Sequence, residues 1–250
     1  MSNVYKWLRM AVHPLEAHAG QYTHDPAEGR HGHLAAVEDG LEFINTLEYR
    51  KGEPVDHLEG VDDALAWLHE HDLLHREMLD EQSGRFRAVP AAAERAMSRV
   101  RRVRESLREL VDATVERRPP AQPELDDVNR ALRTHYVYEL VPAPDGVSLD
   151  HRHEGDPIDG ALARLAESIA RELSQGEPDR LRVCANDECR WVFKDASRTA
   201  RRKWCDMAVC GNRAKAARHR QRRRAGGLAA RVGDGESAEA RSDEDRSAST

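Results

Sequence analysis

The four cysteines of this 250-residue chain have types and spacing that indicate metal chemistry. They follow the pattern C-x4-C-x15-C-x4-C and are Cys184, Cys189, Cys205 and Cys210. Thiolates at this spacing can converge on one tetrahedral ion, because each four-residue loop can turn the chain back and the longer insert has room for a hairpin. Zinc suits such a set, and four protein sulfurs leave no position for water or substrate. We therefore predict one structural Zn²⁺ ion and no catalytic residue.

Two disulfides, an iron–sulfur cluster and four unrelated buried thiols are the alternatives to zinc. The chain has no other cysteine, which argues against unrelated thiols. Disulfides require an oxidising compartment, and residues 1–12 lack the apolar segment of a signal peptide. Zinc is our preferred interpretation, and we expect the protein to act in the cytoplasm.

The cysteines lie in the most basic part of the chain. Residues 180–224 contain fifteen Lys or Arg and four Asp or Glu, a net charge of +11. Because the whole chain has a formal charge of −6, the remaining residues carry −17. A concentrated positive field is typical of proteins that bind polyanions. We predict double-stranded DNA as the partner, with an RNA-binding zinc protein as the alternative.

A basic helix is predicted after the last cysteine, because residues 211–224 are rich in helix formers and contain no proline. Lys215, Arg218 and Arg222 would share one face, which suits the major groove. The amide of Asn212 could read adenine, but we favour a role in the turn beside the metal. The candidate nucleic-acid-binding residues are Arg198, Arg201, Arg202, Lys203, Asn212, Arg213, Lys215, Arg218, Arg220 and Arg222.

Three segments of this region resemble a known family. They are CANDECRWVFKD at 184–195, RKWCDM at 202–207 and CGNRAKA at 210–216. They resemble the CGNR zinc finger, which is named for the tetrapeptide at 210–213. The resemblance implies zinc held by the four cysteines and DNA binding by a bacterial transcription regulator. Asp206 stands where that family's W-C-S-M pattern has serine; either side chain can cap a short helix, although an acid near phosphate would weaken contact there.

A second resemblance covers the start of the preceding domain. The segments GLEFINTLEYRKGEPVDHL at 40–58 and DDALAWL at 62–68 are similar to the start of the ABATE domain, which commonly precedes such zinc fingers. The resemblance implies a stress-responsive regulator, and we expect its N-terminal domain to sense a signal or mediate assembly. We divide the chain into a histidine-containing lead-in over 1–35, an ABATE-like domain over 36–178, the zinc finger over 180–224 and a disordered tail over 225–250.

Apolar periodicity predicts the elements of the N-terminal domain. Helices are predicted at about 37–47, 61–68, 91–117, 125–132 and 158–173. Alternating β-branched and aromatic residues predict a hairpin with strands over 134–141 and 147–152. The predicted fold class is α+β: a mainly helical domain with a β-hairpin, then a small zinc-binding module of zinc-ribbon or treble-clef-like type that ends in a basic helix.

Asn45 and Thr46 are polar residues within an apolar pattern. Such residues either form local hydrogen bonds, which is the commoner arrangement, or face a pocket. If the N-terminal domain binds a small-molecule effector, these two are the candidate pocket residues. A homodimer built through this domain is the other role that we consider for it.

Other classes of function receive little support from the sequence. There is no G-x-S-x-G, phosphate-binding glycine loop or H-E-x-x-H motif, so we do not expect an enzyme. The run HEHD at 69–72 is interpreted as the polar end of a helix. The absence of an 18-residue apolar run argues against a membrane span. Five N-terminal histidines, accompanied by Asp25, are irregularly spaced and are interpreted as surface residues rather than as a second metal site: His13, His18, His24, His31 and His33.

Overall fold

The computed structural model describes residues 35–134, 136–143 and 146–222. The chain divides into two compact units between Cys205 and Asp206. The five N-terminal histidines and the predicted tail over 225–250 lie outside the described residues.

Helices are the main elements of the first unit as far as the structure describes it. Three of them begin with proline in the first turn, where a missing backbone N–H costs nothing. The described helices are α1 Val37–Asn45, α2 Val61–Glu70, α3 Arg76–Ala88, α4 Pro90–Val115, α5 Gln122–Leu132 and α6 Pro157–Gln175. All correspond to predicted helices except α3, which the sequence analysis missed.

Helix α4 is central to the hydrophobic core. Along one face its side chains are almost completely buried, notably Val100, Leu107 and Val111. Helices α1, α2, α3, α5 and α6 all pack against it. Burial of each large aliphatic side chain contributes about 1.5–3 kcal/mol relative to exposure, so this stripe is a main source of the domain's stability.

A short hairpin follows α1 and corrects the predicted helix over 37–47. Strand β1, Leu47–Arg50, pairs antiparallel with β2, Glu53–Asp56. Between them Lys51 and Gly52 have φ values of 56° and 88°. Positive φ at both central residues is what a tight hairpin turn requires, and glycine adopts it without strain. The helix therefore ends at Asn45, and the chain turns at Thr46 into β1.

The second hairpin lies where the sequence predicted it. Strand β3, Tyr136–Ala143, pairs antiparallel with β4, Gly146–His153, with Ala143 opposite Gly146. The sequence PAPDG at 142–146 predicts the turn of this hairpin, and its residues 144–145 lie outside the described part of the chain.

A third hairpin carries the first two cysteines. A 3₁₀ turn at Pro178–Arg180 leads into β5, Leu181–Val183, which pairs antiparallel with β6, Val192–Lys194. By its length, the fifteen-residue insert between the cysteine pairs has room for a hairpin of its own. The insert instead contributes β6, whose partner precedes Cys184, so the hairpin encloses the first cysteine pair.

The second unit begins with a capped turn and continues as a helix. Residues Met207–Gly211 form one π-helical turn, and residues 212–222 are α-helical. We call this helix α7. It confirms the predicted helix after the last cysteine as far as residue 222, where the described part of the chain ends.

The predicted fold class is confirmed. The protein has a mainly helical N-terminal region with β-hairpins, followed by a small cysteine module that ends in a helix. None of the helices in the described ranges combines the length and apolar character needed to cross a bilayer.

Candidate metal centre and nucleic-acid interface

Hydrogen bonds of the β5–β6 hairpin shape the first cysteine loop. The backbone N–H of Cys184 donates to the carbonyl of Trp191 at 2.8 Å, which continues the pairing of Val183 with Val192. Inside the loop, the N–H groups of Cys189 and Arg190 donate to the carbonyl of Asn186 at 2.8 and 3.1 Å. The loop is therefore a tight turn that holds Cys184 and Cys189 on one side of the hairpin.

A buried carboxylate shapes the segment before the third cysteine. Asp195 is 0% exposed and accepts hydrogen bonds from the backbone N–H groups of Ser197 at 2.9 Å and Arg202 at 2.7 Å. Burial acts to raise the pKa of Asp195, but hydrogen bonds from Ser197 and Arg202 and the charge of Arg182 outweigh it and leave the pKa below its ordinary value. An ionised Asp195 thus fixes the loop that leads to Cys205.

The guanidinium of Arg202 completes this loop. Its Nε donates to the carbonyl of Trp204 at 2.8 Å, its Nη2 donates to the carbonyl of Cys205, and it lies 5.0 Å from the centre of the Phe193 ring. The N–H of Ala185 also donates to the carbonyl of Lys203 at 2.8 Å. These bonds join the two cysteine-bearing segments of the first unit.

The fourth cysteine lies in the capped turn of the second unit. Asp206 accepts a hydrogen bond from the N–H of Val209 at 2.8 Å through its side chain. Its backbone carbonyl accepts from the N–H groups of Cys210 and Gly211, both at 3.0 Å. Asp206 therefore performs the capping role that serine was expected to have at this position.

The four sulfur atoms fit one tetrahedral ion. The ligand atoms of Cys184, Cys189, Cys205 and Cys210 all lie within 4.8 Å of one another, and the Sγ atoms of Cys189 and Cys205 are 3.6 Å apart. Four sulfurs on zinc at the usual bond length would be about 3.8 Å apart. None of the cysteines is in a disulfide, and all but the partly buried Cys189 are buried. The four cysteines can therefore bind one zinc ion.

Crowding of the thiols creates a need for a cation. Hydrogen bonds from Cys189 and Cys205 lower the pKa of Cys184. The hydrogen bond to Cys184 raises the pKa of Cys189, and that of Cys205 rises for the same reason. One thiolate thus opposes the ionisation of its neighbours, whereas a divalent cation stabilises all of them as thiolates. This electrostatic argument agrees with the sulfur geometry.

Most of the candidate nucleic-acid-binding cations are exposed and have no acidic partner among the residues that the structure describes. In the first unit these are Arg198, Arg201 and Lys203; in the second they are Arg213, Lys215, Arg218, Arg220 and Arg222. Among residues 35–134, 136–143 and 146–222, no carboxylate lies within ion-pair distance of any of them. By contrast, Arg99, Arg104, Arg108, Arg118 and Arg171 of the helical region each bind a carboxylate.

Two of the candidates have structural contacts instead. Arg202 is partly buried and bound to backbone carbonyls, as described above. The side-chain amide of Asn212 donates to the carbonyl of Ala208 at 2.9 Å, within the turn that precedes α7. This bond corresponds to the turn role that we favoured for Asn212.

Asn45 and Thr46 are buried and form intramolecular hydrogen bonds. The amide of Asn45 donates to the carbonyl of Val192 at 2.9 Å and accepts from its N–H at 3.0 Å. The hydroxyl of Thr46 donates to the carbonyl of Phe43 at 2.7 Å and accepts from Arg104 at 2.9 Å. Neither residue lines the two cavities described in the first unit. Their role as pocket residues stays a prediction.

Further contacts hold the cysteine hairpin to the helical region of the first unit. Lys194 on β6 forms an ion pair of 2.9 Å with the buried Glu172 of α6. Arg190, next to Cys189, lies over the ring of Tyr49 on β1, 5.0 Å from its centre. Sequence reasoning missed these contacts because the partners are far apart in the chain. The aromatic Tyr49 and basic Arg190 give no pairing signal by themselves.

The HEHD run behaves as the polar end of α2. His69 shares a hydrogen bond of 2.9 Å with the carbonyl of Leu74. His71 stacks on Trp67, with 3.9 Å between the ring centres, and contacts Asp39 at 3.1 Å. Each histidine thus makes contacts that organise the end of the helix.

The geometry defines a zinc-finger protein of the four-cysteine type with an associated helical domain. Sequence comparison gives the family. Residues 180–223 match the CGNR zinc finger, and residues 40–176 match the ABATE family, described as a putative stress-induced transcription regulator. The ABATE match covers more than half of the chain, and the protein belongs to that family. A search of curated proteins found no match.

Proposed function

We propose that this protein is a zinc-dependent transcription regulator that binds double-stranded DNA in the cytoplasm. The observation that carries the proposal is a set of exposed cations, in the segment that contains the four cysteines, that have no acidic partner within the described part of the chain. Like charges that face water without counter-charges destabilise a fold, and a polyanion removes that cost on binding. The match to a family described as a transcription regulator and the match to a zinc-finger family support the same function.

The zinc ion has a structural role in this proposal. Four sulfur ligands complete its coordination, so it supplies no reactive position. Its contribution is to fix the cysteine loops, because a small module buries too little apolar surface to fold on packing alone. Loss of the metal is therefore expected to abolish DNA binding through unfolding of the module.

Contacts to phosphate are assigned first to the cations of α7. Arg213, Lys215, Arg218 and Arg222 are exposed and lie on a helix, a form that the major groove accepts. Arg198, Arg201 and Lys203 of the first unit are further phosphate candidates, since each is exposed. Arg202 would contribute to DNA binding mainly by fixing the loop that leads to Cys205.

The helical domain is proposed to receive the signal or to form a homodimer. Its contacts with the cysteine hairpin give it a route to the zinc module, since Asn45 and Glu172 bind β6 directly. A change at the helical domain that moved β6 would also move the loop that holds Cys184 and Cys189.

The function is tested by fluorescence anisotropy with labelled duplex DNA across a salt series. We expect tight binding at low salt and a linear fall of log affinity with log salt concentration. The triple variant Arg213→Gln, Arg218→Gln, Arg222→Gln should lose this binding, whereas Arg101→Gln, Arg102→Gln on α4 should retain it. Preference for a matched single-stranded or structured RNA over the duplex would favour the RNA-binding alternative.

A further inference from the structure

The turn that begins the second unit exposes apolar side chains. Met207 is 53% exposed and Val209 is 42% exposed, and Ala208 between them is exposed as well. We call these three residues the apolar turn. Large apolar side chains with this degree of exposure are few among the described residues, and two of them lie side by side here, in the most basic segment of the chain.

The folding of the zinc module does not explain why these residues are apolar. The first cysteine loop has the same length, and its residues 185–188 are Ala-Asn-Asp-Glu, so a mainly polar sequence suits a loop of this kind. Because Met207 and Val209 face water, they contribute little to a core, and water opposes their exposure. Apolar side chains that lie together on a surface indicate an interaction site more strongly than single ones do.

Hydrogen bonds hold the apolar turn in one conformation. The side chain of Asp206 accepts from the N–H of Val209 at 2.8 Å, and the side-chain amide of Asn212 donates to the carbonyl of Ala208 at 2.9 Å. The turn continues directly into Cys210, one of the four candidate zinc ligands. A partner would therefore meet a preformed surface, which lowers the entropic cost of binding.

The charge around the apolar turn favours a nucleic acid over other partners. Residues 206–222 contain five Lys or Arg and one acid, Asp206. A second copy of this surface would bring like charges together, which opposes self-association. An anionic membrane would require an apolar face along the helix, whereas the exposed positions of residues 212–222 are polar, charged or alanine.

Within a duplex, the base edges suit the apolar turn better than the phosphates do. The carboxylate of Asp206 would be repelled by a nearby phosphate, whereas base edges carry no net charge. The major groove presents one apolar group, the C5-methyl of thymine. In helix-turn-helix proteins, residues near the N-terminal end of the helix contact bases. The apolar turn precedes α7 in the same way, and the cations of α7 follow it.

We propose that Met207 and Val209 contact thymine methyl groups in the major groove and thereby contribute to the choice of DNA sequence. The cations of α7 would bind any duplex through its phosphates, and the apolar turn would distinguish one duplex from another. The inference rests on the proposed function, because it requires binding to duplex DNA. It adds the chemical group that the zinc module reads.

The test compares two duplexes by fluorescence anisotropy, with the zinc-loaded full chain. One has alternating adenine and thymine, and the other has uracil in place of every thymine, so that only the methyl groups differ in composition. We expect tighter binding to the thymine duplex, by about fourfold for each methyl group that becomes buried. The variant Met207→Ser, Val209→Ser should bind both duplexes equally and keep the salt dependence of the unmodified protein.

Val89→Ser is the matched control, because Val89 is an exposed apolar residue outside the basic segment. It should keep the preference for thymine, and all three proteins should contain the same amount of zinc. Equal affinity of the unmodified protein for the two duplexes would overturn the inference and leave the proposed function standing. A preference for thymine that survives in the double variant would overturn it too.

Two further outcomes separate this inference from its alternatives. Failure of the unmodified protein to bind either duplex would refute the proposed function, and the inference with it. Vesicles of phosphatidylglycerol and phosphatidylcholine test the membrane alternative. Vesicle binding that is lost in Met207→Ser, Val209→Ser, together with equal affinity for the two duplexes, would assign the apolar turn to a membrane surface instead of DNA.

Discussion

The side chain of Asn45 forms two hydrogen bonds with the backbone of Val192. Its amide nitrogen donates to the carbonyl at 2.9 Å, and its amide oxygen accepts from the N–H at 3.0 Å. Both residues are buried. Asn45 thus pairs with the backbone N–H and carbonyl of Val192 as a residue of a neighbouring strand would. The pair holds the end of α1 against the hairpin that carries the first two cysteines.

Asn45→Ala should destabilise the first unit by about 2–4 kcal/mol, because it leaves a buried N–H and a buried carbonyl without partners. Chemical denaturation of the zinc-loaded protein measures this effect. Glu38→Gln is the control, since Glu38 is exposed on the same helix and its replacement should change stability by less than about 0.5 kcal/mol. Equal stability of the two variants would show that the Asn45–Val192 pair contributes little.

Gly40→Ala and Gly84→Ala should have opposite effects on stability. A Cβ at Gly40 in α1 would lie 2.6 Å from Oγ of Ser168 and 2.7 Å from Cγ1 of Ile169, so α1 and α6 would have to move apart. Overpacking of this kind costs about 1–3 kcal/mol. A Cβ at Gly84 in α3 has nothing within 4 Å, and alanine there should stabilise the helix by about 0.5–1 kcal/mol.

Thermal unfolding distinguishes the two glycine variants. The transition temperature should fall for Gly40→Ala and rise for Gly84→Ala. A rise for both would mean that α1 and α6 are less closely packed than the structure shows.

The pair of Arg104 and Asp56 should make stability depend on pH. Burial acts to raise the pKa of Asp56, but hydrogen bonds from Arg104 and from the N–H of Leu58 outweigh it and lower the pKa. A carboxylate with a lowered pKa in the folded state stabilises the protein above its unfolded pKa, about 3.9. That contribution is lost as the pH falls through the lower folded value.

Asp56→Asn tests this contribution in denaturation experiments at several pH values. At neutral pH the variant should be less stable by about 3–5 kcal/mol, because Arg104 keeps a buried charge without its partner. The difference between the two proteins should shrink below about pH 4. A difference that stays constant down to acid pH would contradict an ionised Asp56 as the source.

Arg218→Ala should weaken binding to all duplex sequences similarly if Arg218 contacts a phosphate. The slope of log affinity against log salt should flatten by about one unit. Arg102→Ala, an exposed change on α4, should leave the slope as it was. An unchanged slope for Arg218→Ala would remove this residue from the phosphate contacts.

Elements with a strong local pattern were predictable from sequence. The apolar stripe predicted α4, and the alternation of β-branched and aromatic residues predicted the β3–β4 hairpin. In both cases the predicted bounds lie within a few residues of the observed ones. The cysteine spacing similarly indicated the metal centre, whose sulfur atoms the structure brings together. These signals need no knowledge of the rest of the chain.

Elements with weak local patterns were missed. Helix α3 buries Gln82 and Phe86 in a run of mainly charged and polar residues, so its apolar periodicity is faint. Strands β1 and β2 have four residues each, too few for a clear alternation. Gly52, which follows Lys51, was the available sequence signal for a turn between these two strands. The Asn45–Val192 pair joins residues 147 positions apart, and nothing in either local sequence specifies the other.

The central claim is that zinc in the four-cysteine site is required for DNA binding. Zinc content and duplex affinity should be measured on the same purified sample, before and after chelation, and for Cys205→Ser. We predict one zinc per chain and salt-sensitive DNA binding that disappears on chelation, returns with added zinc and is lost in Cys205→Ser. DNA affinity that persists in the zinc-free protein, or a purified protein that neither contains nor takes up zinc, would contradict the account.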